Sequence, residues 1–225
     1  MDMSFLPELL AAVLASLIAI TLHEAAHGYA ALALGDDTAA RMGRLSLNPL
    51  RHVDPVGTVL VPGVLLVSQL VATGSVDVMF GWAKPVPVDV RRLRDPRSGM
   101  MWVAAAGPAT NFALAFIAAL LVHLAGWAGS EWLMRFLGLS ILVNLILGLF
   151  NLFPVPPLDG GRIAVGLLPL PLARAWASLE RFGLFIVIGI LFLLPMLIPA
   201  FRPMDWFVAR IVRPVFGFVL RAAGL

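Results

Sequence analysis

Long apolar runs constrain the fold of this chain more than any other feature. Five stretches are each close to or above the roughly 17–20 residues that a helix needs to cross about 30 Å of hydrocarbon. Of the 225 residues, 60% are hydrophobic and 13% are charged, and the mean hydropathy is +0.95. This balance predicts an all-α integral membrane protein, a polytopic helical bundle, because soluble domains are far more polar. The five stretches are Phe5–Leu34, Val56–Val76, Met100–Trp127, Trp132–Phe153 and Phe182–Ala200.

The same pattern predicts a single membrane-embedded domain over residues 1–225. No polar stretch is long enough to fold separately as a soluble unit. A weaker apolar segment, Trp206–Leu220, carries Arg210, Arg213 and Pro214. These residues leave two alternatives open, an interfacial helix or a poor final span. The predicted parts are a core at about residues 5–165 and C-terminal helices at 182–200 and 205–221.

Charged residues indicate topology and do not indicate nucleic-acid binding. The formal net charge is only +3, and the basic residues are scattered instead of forming a dense stripe. Loops 36–56, 75–99 and 156–181 contain most of them, whereas the short turn after Trp127 has none. The positive-inside rule places these three loops on the cytoplasmic side. Val56–Val76 then has to enter and leave on one face, as a re-entrant or extended segment after the first helix.

The first apolar stretch contains the HExxH pattern, His23-Glu24-Ala25-Ala26-His27. On a helix, the i, i+4 spacing places the two imidazoles one turn apart on one face, where they can bind one Zn²⁺. The Glu24 side chain can reach a metal-bound water, whose pKa zinc lowers to about 7. Ionisable groups inside a membrane helix are costly and are functional candidates by default. The alternative is a set of inward-facing polar groups that only bridge helices.

Asp159 is the candidate for a third metal ligand. Catalytic zinc usually takes three protein ligands and a water, and a chain without cysteine must use His and carboxylate. Few carboxylates lie within or beside the apolar stretches. Prolines break the helix before Asp159, and Gly160-Gly161 lets a backbone approach closely. A re-entrant Val56–Val76 returns Asp159 to the side of His23 and His27, so charge and metal geometry require the same topology.

Three motifs follow one another between about residues 15 and 165. They are His23-Glu24-Ala-Ala-His27, Ala106-Gly107-Pro108-Ala109-Thr110-Asn111 and Asn151-Leu-Phe-Pro154-Val-Pro156-Pro-Leu-Asp159-Gly160. Together they resemble the signatures of the site-2 protease family of intramembrane zinc metalloproteases. The loops at residues 48–55 and 81–87 also resemble the short bacterial and archaeal members, which lack an inserted PDZ domain.

The resemblance implies a site and a function. It implies a zinc held by His23, His27 and Asp159, with Glu24 as the general base and Asn151 as a candidate donor to the tetrahedral oxyanion. The implied activity is regulated intramembrane proteolysis of transmembrane proteins or peptides. The implied location is the cell (inner) membrane, as a multi-pass protein with the active site toward the cytoplasm. The substrate and the oligomeric state are left open.

Other interpretations remain open from the sequence. The chain could be a non-proteolytic membrane metal-binding protein or a transporter, although transporters need ionisable groups on both sides of the membrane. Asn111 fits a helix-start or interhelical hydrogen bond as well as a substrate contact. His52 and Asp54 fit turn chemistry or a role in orienting substrate.

Overall fold

The computed structural model describes residues 6–73, 81 and 83–225. Within these residues every regular element is helical, which confirms the all-α prediction. Four helical spans among them are long and apolar enough to cross a membrane. The chain is therefore consistent with a polytopic membrane protein. The spans are Leu6–Ala33, Pro96–Trp127, Glu131–Asn151 and Leu170–Leu197.

Helices α1 to α11 follow in chain order, and short 3-10 or π-helical turns separate some of them. The helices are α1 (Leu6–Ala33), α2 (Thr38–Arg41), α3 (Val61–Thr73), α4 (Pro96–Trp127), α5 (Glu131–Asn151), α6 (Asp159–Leu167), α7 (Leu170–Ala177), α8 (Gly183–Ile188), α9 (Leu194–Leu197), α10 (Pro203–Phe207) and α11 (Arg213–Ala222). The turns are Pro49–Arg51, Pro55–Leu60, Val90–Arg92, Ser178–Phe182, Gly189–Leu193 and Val208–Val212.

Local capping sets the ends of the long helices. The Asp95 carboxylate accepts hydrogen bonds from the amides of Arg97 and Ser98, at the start of α4. Ser130 caps α5 in the same way. Side-chain acceptors satisfy the amides that a helix start leaves free. After α1, Gly35 takes a φ of +108°, the left-handed region in which glycine commonly ends a helix.

The helix bounds agree with the sequence for most of the predicted stretches and differ for the last long span. Helices α1, α4 and α5 match three predicted apolar stretches within a few residues. The π-helical turn at 55–60 and α3 occupy most of the predicted segment Val56–Val76, whose residues 74–76 lie outside the described residues. The last long span begins at Leu170, earlier than the predicted start at Phe182. Glu180 and Arg181 are exposed there, so their charges do not interrupt the helical path.

Helices α1, α4 and α5 pack against one another and form the centre of the bundle. The buried face of α1 carries Ala11, Ala15 and Ala19 at intervals of four residues. His23 is the next position of this buried stripe, and His27 follows it. Small side chains let membrane helices approach closely. The packing of α1 therefore directs the histidine pair toward α4 and α5.

The C-terminal helical path Pro203–Ala222 runs along the length of α5. At its start, the Phe207 ring lies 6.0 Å from the Phe150 ring and 5.5 Å from the Phe153 ring, measured between centroids. At its end, the His123 side chain near the end of α4 lies with Nε2 2.8 Å from the Ala223 carbonyl oxygen. A helix of this length covers about 30 Å. Its two ends therefore lie near opposite ends of α4 and α5.

Candidate metal centre

Three side chains from two distant parts of the sequence meet at the metal centre. His23 and His27 lie one turn apart on α1, and Asp159 is the first residue of α6. The Nε2 atoms of His23 and His27 are 3.0 Å apart. Asp159 Oδ2 lies 3.2 Å from His23 Nε2 and 3.4 Å from His27 Nε2. The structure thus brings together the three residues that the sequence predicts as metal ligands.

Both imidazoles are oriented through their second ring nitrogen. His27 Nδ1 lies 2.7 Å from the Val103 carbonyl oxygen, which can only accept, so Nδ1 carries the proton. His23 Nδ1 lies 2.6 Å from Asn111 Oδ1, while the Asn111 side-chain amide donates to Asn144 Oδ1 at 2.8 Å. A neutral ring protonated at Nδ1 has its lone pair on Nε2. Hydrogen bonds of this kind orient metal-binding histidines.

The two Nε2 lone pairs and the Asp159 carboxylate oxygen therefore face one another at short range. Asp159 Oδ2 is buried and accepts no hydrogen bond from the described residues. A cation bound between these three acceptor atoms would offset the cost of holding them together without hydrogen-bond donors. Tetrahedral zinc with bonds of about 2.0–2.1 Å separates its ligand atoms by about 3.3 Å. The observed separations and the donor set of two imidazoles and one carboxylate fit zinc.

Glycines allow the backbone to approach this centre. A Cβ atom on Gly107 of α4 would lie 2.6 Å from the imidazole atoms of both His23 and His27. A Cβ atom on Gly160 would lie 2.2 Å from the Leu152 carbonyl oxygen, in the turn that links α5 to α6. Any larger side chain at either position would displace α4 or the Asp159 turn. The close approach expected around Asp159 is therefore present.

Glu24 is half-buried next to the ligand pair. Its Oε2 atom accepts a hydrogen bond of 3.0 Å from the backbone amide of Val86. Val86 lies in the extended Pro-rich segment that the sequence places between the second and third apolar stretches. The carboxylate next to the metal ligands is thus in contact with a non-helical part of the chain.

Other residues weighed in the sequence have local partners. The Asn151 side-chain amide donates to the Leu147 carbonyl oxygen at 3.0 Å, within α5. His52 is buried, and its Nε2 lies 2.8 Å from the Ser46 carbonyl oxygen. The Asp54 carboxylate caps the π-helical turn that follows it. Turn chemistry therefore accounts for the Asp54 contacts, while an oxyanion role for Asn151 stays a prediction.

Three orienting groups extend the site beyond the predicted set. Asn111 forms an interhelical hydrogen bond, one of the two interpretations that the sequence left open. Asn144 and the Val103 carbonyl were not singled out from the sequence. An asparagine in the apolar middle of α5 was a usable signal for Asn144. No sequence signal marks a backbone carbonyl such as that of Val103.

Comparison with known proteins identifies the family. The model of peptidase family M50 matches residues 127–195. YwhC of Bacillus subtilis, named as a candidate zinc metalloprotease, is 41% identical over 191 residues, which cover 82% of this chain and 80% of YwhC. The chain belongs to peptidase family M50. This confirms the resemblance to the site-2 proteases and the assignment as a zinc metalloprotease.

Further relatives of this M50 chain are mycobacterial. Rip2 of Mycobacterium tuberculosis, also named as a candidate zinc metalloprotease, is 31% identical over 188 residues, or 80% of this chain and 66% of Rip2. Rip3 of the same species is 48% identical over 62 residues, or 27% of this chain and 16% of Rip3. The chain thus spans just under two thirds of Rip2. No solved structure matches the chain.

The M50 match and the geometry of the metal cluster cover different parts of the chain, and both support a metalloprotease. The matched residues 127–195 include Asp159 but begin after His23 and His27. The geometry then joins Asp159 to the two histidines. Zinc is the cofactor of this metalloprotease, and the described residues provide a cluster that can bind it.

Proposed function

We propose that this M50 metalloprotease is an intramembrane endopeptidase that hydrolyses peptide bonds of transmembrane proteins or peptides. The observation that carries the proposal is the location of the metal cluster. His23 and His27 lie on α1 and are oriented by groups on α4, and both helices are long and apolar enough to cross a membrane. A centre built on such helices is suited to substrates within the bilayer. Regulated intramembrane proteolysis is the corresponding role.

The proposal assigns the metal to His23, His27 and Asp159 and the general base to Glu24. Zinc, when bound there, supplies Lewis-acid polarisation of the scissile carbonyl and lowers the pKa of water. Glu24 takes the proton of the attacking water and delivers it to the leaving amine. In a membrane helix each backbone carbonyl accepts a hydrogen bond from an amide of the same helix. The substrate therefore has to unwind locally before its peptide bond can be cleaved.

Asn151 is proposed as a donor to the developing oxyanion. Its side-chain amide donates to Leu147 in the structure, so this role requires the side chain to change partners when substrate binds. Loss of one oxyanion donor costs about 10²–10³ in kcat. We expect this loss in Asn151→Ala, with unchanged zinc content. Wild-type kcat in this variant would remove Asn151 from the mechanism.

We propose that residues 1–225 form one membrane-embedded domain whose active site faces the cytoplasm. The segment between His52 and Lys84 is proposed to be re-entrant, because the Lys84 amide donates to the His52 carbonyl oxygen at 2.8 Å. Both flanks of the segment therefore lie together. The basic loops flanking it support the cytoplasmic side. The C-terminal path Pro203–Ala222 is proposed to cross the membrane, since it reaches both ends of α5. Its start lies beside Phe150 and Phe153, at the proposed cytoplasmic end of α5, so Leu170–Leu197 is proposed to begin and end on that side.

Cysteine labelling tests this topology, because the natural chain has no cysteine. Single cysteines would replace the exposed residues Leu50, Arg91 and Ala128. In intact cells, a membrane-impermeant maleimide should label Ala128→Cys and spare Leu50→Cys and Arg91→Cys until the membrane is permeabilised. Labelling of Leu50→Cys and Arg91→Cys on opposite sides would contradict the re-entrant segment.

The activity is tested with a model substrate, defined as a single Leu-rich membrane helix interrupted by Gly and Pro and labelled at both ends. Purified protein reconstituted with it in liposomes should cleave within the apolar segment. A zinc chelator should stop cleavage, and added Zn²⁺ should restore it. His23→Ala, which removes a proposed ligand, should be inactive. Zinc binding without cleavage of any Gly- and Pro-interrupted helix would favour the non-proteolytic metal-binding alternative.

A further inference from the structure

The backbone amide of Val86 is placed to control the Glu24 carboxylate. Pro85 and Pro87 flank Val86 and have no amide hydrogen. Val86 is therefore the one residue of this tripeptide that can donate a backbone hydrogen bond, and it donates to Glu24 Oε2 at 3.0 Å. The Val86 side chain is buried, so water has little access to compete for this bond.

Gly28 allows this segment to lie against α1. Gly28 is one helical turn after Glu24, and a Cβ atom there would lie 3.0 Å from Val86 Cγ1 and 2.5 Å from Leu45 Cδ2. The Leu45 methyl group is the flexible end of a side chain and can move. The Val86 contact would need the extended segment to shift by a few tenths of an ångström. The approach of Val86 to Glu24 thus depends on the absence of a side chain at position 28.

The extended segment Lys84–Asp89, here named the strap, is anchored on both sides of Val86. Before Val86, the Lys84 amide donates to the His52 carbonyl oxygen at 2.8 Å. After it, the Asp89 amide donates to Asp36 Oδ2 at 2.7 Å. Asp36 is fully buried in the turn that follows α1. The strap is therefore tied to the same helix end that carries the ligand pair.

We propose that the strap positions the general base, with Val86 as a positioning residue that acts through its backbone amide. This inference rests on the proposed peptidase function, in which Glu24 is the base. A long carboxylate side chain samples several rotamers, and a hydrogen bond to one of its oxygens selects among them. The bond fixes Glu24 Oε2 and with it the orientation of the carboxylate. The strap acts on the base and leaves the three metal ligands to the helices.

Amide hydrogen exchange tests the contact without relying on activity. Metal-free protein labelled with ¹⁵N-valine and ¹⁵N-aspartate would be studied by NMR in micelles, with Val86→Ala used to assign the Val86 signal. In Glu24→Ala, the Val86 amide should exchange at least about tenfold faster, since a hydrogen bond to a charged group is lost. The Asp89 amide, bound by Asp36, should change by less than about twofold. Unchanged exchange at Val86 would overturn the inference.

Kinetics test the positioning role. Incorporation of α-hydroxyisovaleric acid at position 86 turns the Pro85–Val86 peptide bond into an ester. This removes the Val86 amide and also weakens the Pro85 carbonyl oxygen as an acceptor from Arg44. Arg44→Ala, which removes the Arg44 bonds to the Lys84 and Pro85 oxygens and keeps the Val86 amide, measures the second effect. The matched control carries the same change at position 88, whose amide donates no hydrogen bond to another described residue. With the model substrate, the position-86 ester should lower kcat at least about tenfold, with KM and zinc content within about twofold of wild type. The position-88 ester should keep kcat within about twofold.

The outcomes separate this inference from the proposed function. Equal kcat in the two ester proteins, or loss of zinc in the position-86 ester, would overturn the positioning role while the peptidase function stands. Absence of cleavage by the wild type would instead contradict the proposed function, and hydrogen exchange would still test the Val86 contact. If the ester proteins do not fold, Gly28→Ala replaces them. Its kcat should fall and recover in Gly28→Ala/Val86→Ala, and no recovery would contradict the inference.

Discussion

On one side of the metal centre packed helices fix the ligands, and on the other side an extended segment contacts the base. His23 and His27 are oriented by Asn111 and Val103 on α4, through side chains and backbone buried in the bundle. Glu24 is bound by the strap, which depends on a few backbone hydrogen bonds. Helical packing gives rigid placement, whereas an irregular segment can be altered without loss of the bundle. Metal affinity and catalytic rate should therefore respond to different substitutions.

Asp159→Ala should have the largest effect on the helical side. It removes the one carboxylate of the ligand set, and even changes behind the ligands cost about 10–100-fold in metal affinity. We expect zinc affinity to fall by more than about a hundredfold, measured by competition with a chromophoric chelator. Asp159→Glu, which keeps a carboxylate, is the control and should retain more zinc. Unchanged affinity in Asp159→Ala would remove Asp159 from the ligand set.

Asn111→Ala should weaken zinc binding through His23. The Asn111 Oδ1 atom accepts from His23 Nδ1, and without it the imidazole loses its fixed orientation. We expect zinc affinity to fall by about 10–100-fold in the same competition assay. Asn151→Ala is the matched control, because Asn151 contacts its own helix and no ligand. Equal zinc affinity in the two variants would contradict the role of Asn111 in orienting His23.

Gly28→Ala should act on the strap side and lower the rate while zinc remains. Its Cβ atom would press on Val86 Cγ1 and move the amide away from Glu24. We expect kcat to fall about tenfold, the cost of weakening a hydrogen bond to a charged group, with zinc content unchanged. Gly28→Ala/Val86→Ala removes the contact with Val86 Cγ1 and keeps the amide, and the flexible Leu45 methyl group can move aside, so kcat should recover. Loss of zinc in Gly28→Ala would contradict the separation of zinc binding by the helices from positioning of the base by the strap.

Asp36→Asn should have the smallest effect on rate and a measurable effect on stability. The new amide group would face the Asp89 amide or the Thr38 hydroxyl and amide, which now donate to the carboxylate. A buried unsatisfied group costs about 1–3 kcal/mol, read as a lower unfolding midpoint in detergent. Asp37→Asn is the matched control, since its ion pairs are exposed and worth about 0–1 kcal/mol.

The stability that Asp36 contributes to the fold should also depend on pH. Burial acts to raise the pKa of Asp36, but the hydrogen bonds from Thr38 and Asp89 and the nearby Arg92 hold it below its ordinary value of 3.8. A carboxyl with a lowered native pKa stabilises the fold above its unfolded pKa and loses this effect as pH falls through the native value. The difference in unfolding midpoint between wild type and Asp36→Asn should be constant above about pH 5 and shrink below pH 4. A difference that grows on acidification would contradict this assignment.

The sequence predicted the metal cluster better than the groups that orient it. The spacing of His23 and His27 is a local property of one helix, and Asp159 stood out among few carboxylates near apolar segments. The bond between His23 and Asn111 depends on how α1 crosses α4, which no local pattern specifies. The Val86 amide is a backbone group, so its contact with Glu24 has no residue-type signal. Only the flanking prolines and Gly28 mark the place in retrospect.

The helix ends likewise differ in how well the sequence predicted them. The caps Asp95 and Ser130 start α4 and α5 a few residues before the predicted Met100 and Trp132, and α1 ends before Gly35. The early start of the last long span at Leu170 was missed, because residues 156–181, which end in Glu180 and Arg181, were interpreted as a loop. Both side chains are exposed in the structure, so tertiary position and not residue type decided whether the helix continued.

Glu24→Gln separates metal binding by the two histidines and Asp159 from proton transfer by Glu24, with zinc content and cleavage of the model substrate measured on one sample. The substitution removes the proton acceptor and leaves His23, His27 and Asp159 in place. We expect one zinc per protein, as in wild type, and no detectable cleavage. Full cleavage would contradict the role of Glu24 as base, and loss of zinc would contradict the separation of metal binding from proton transfer.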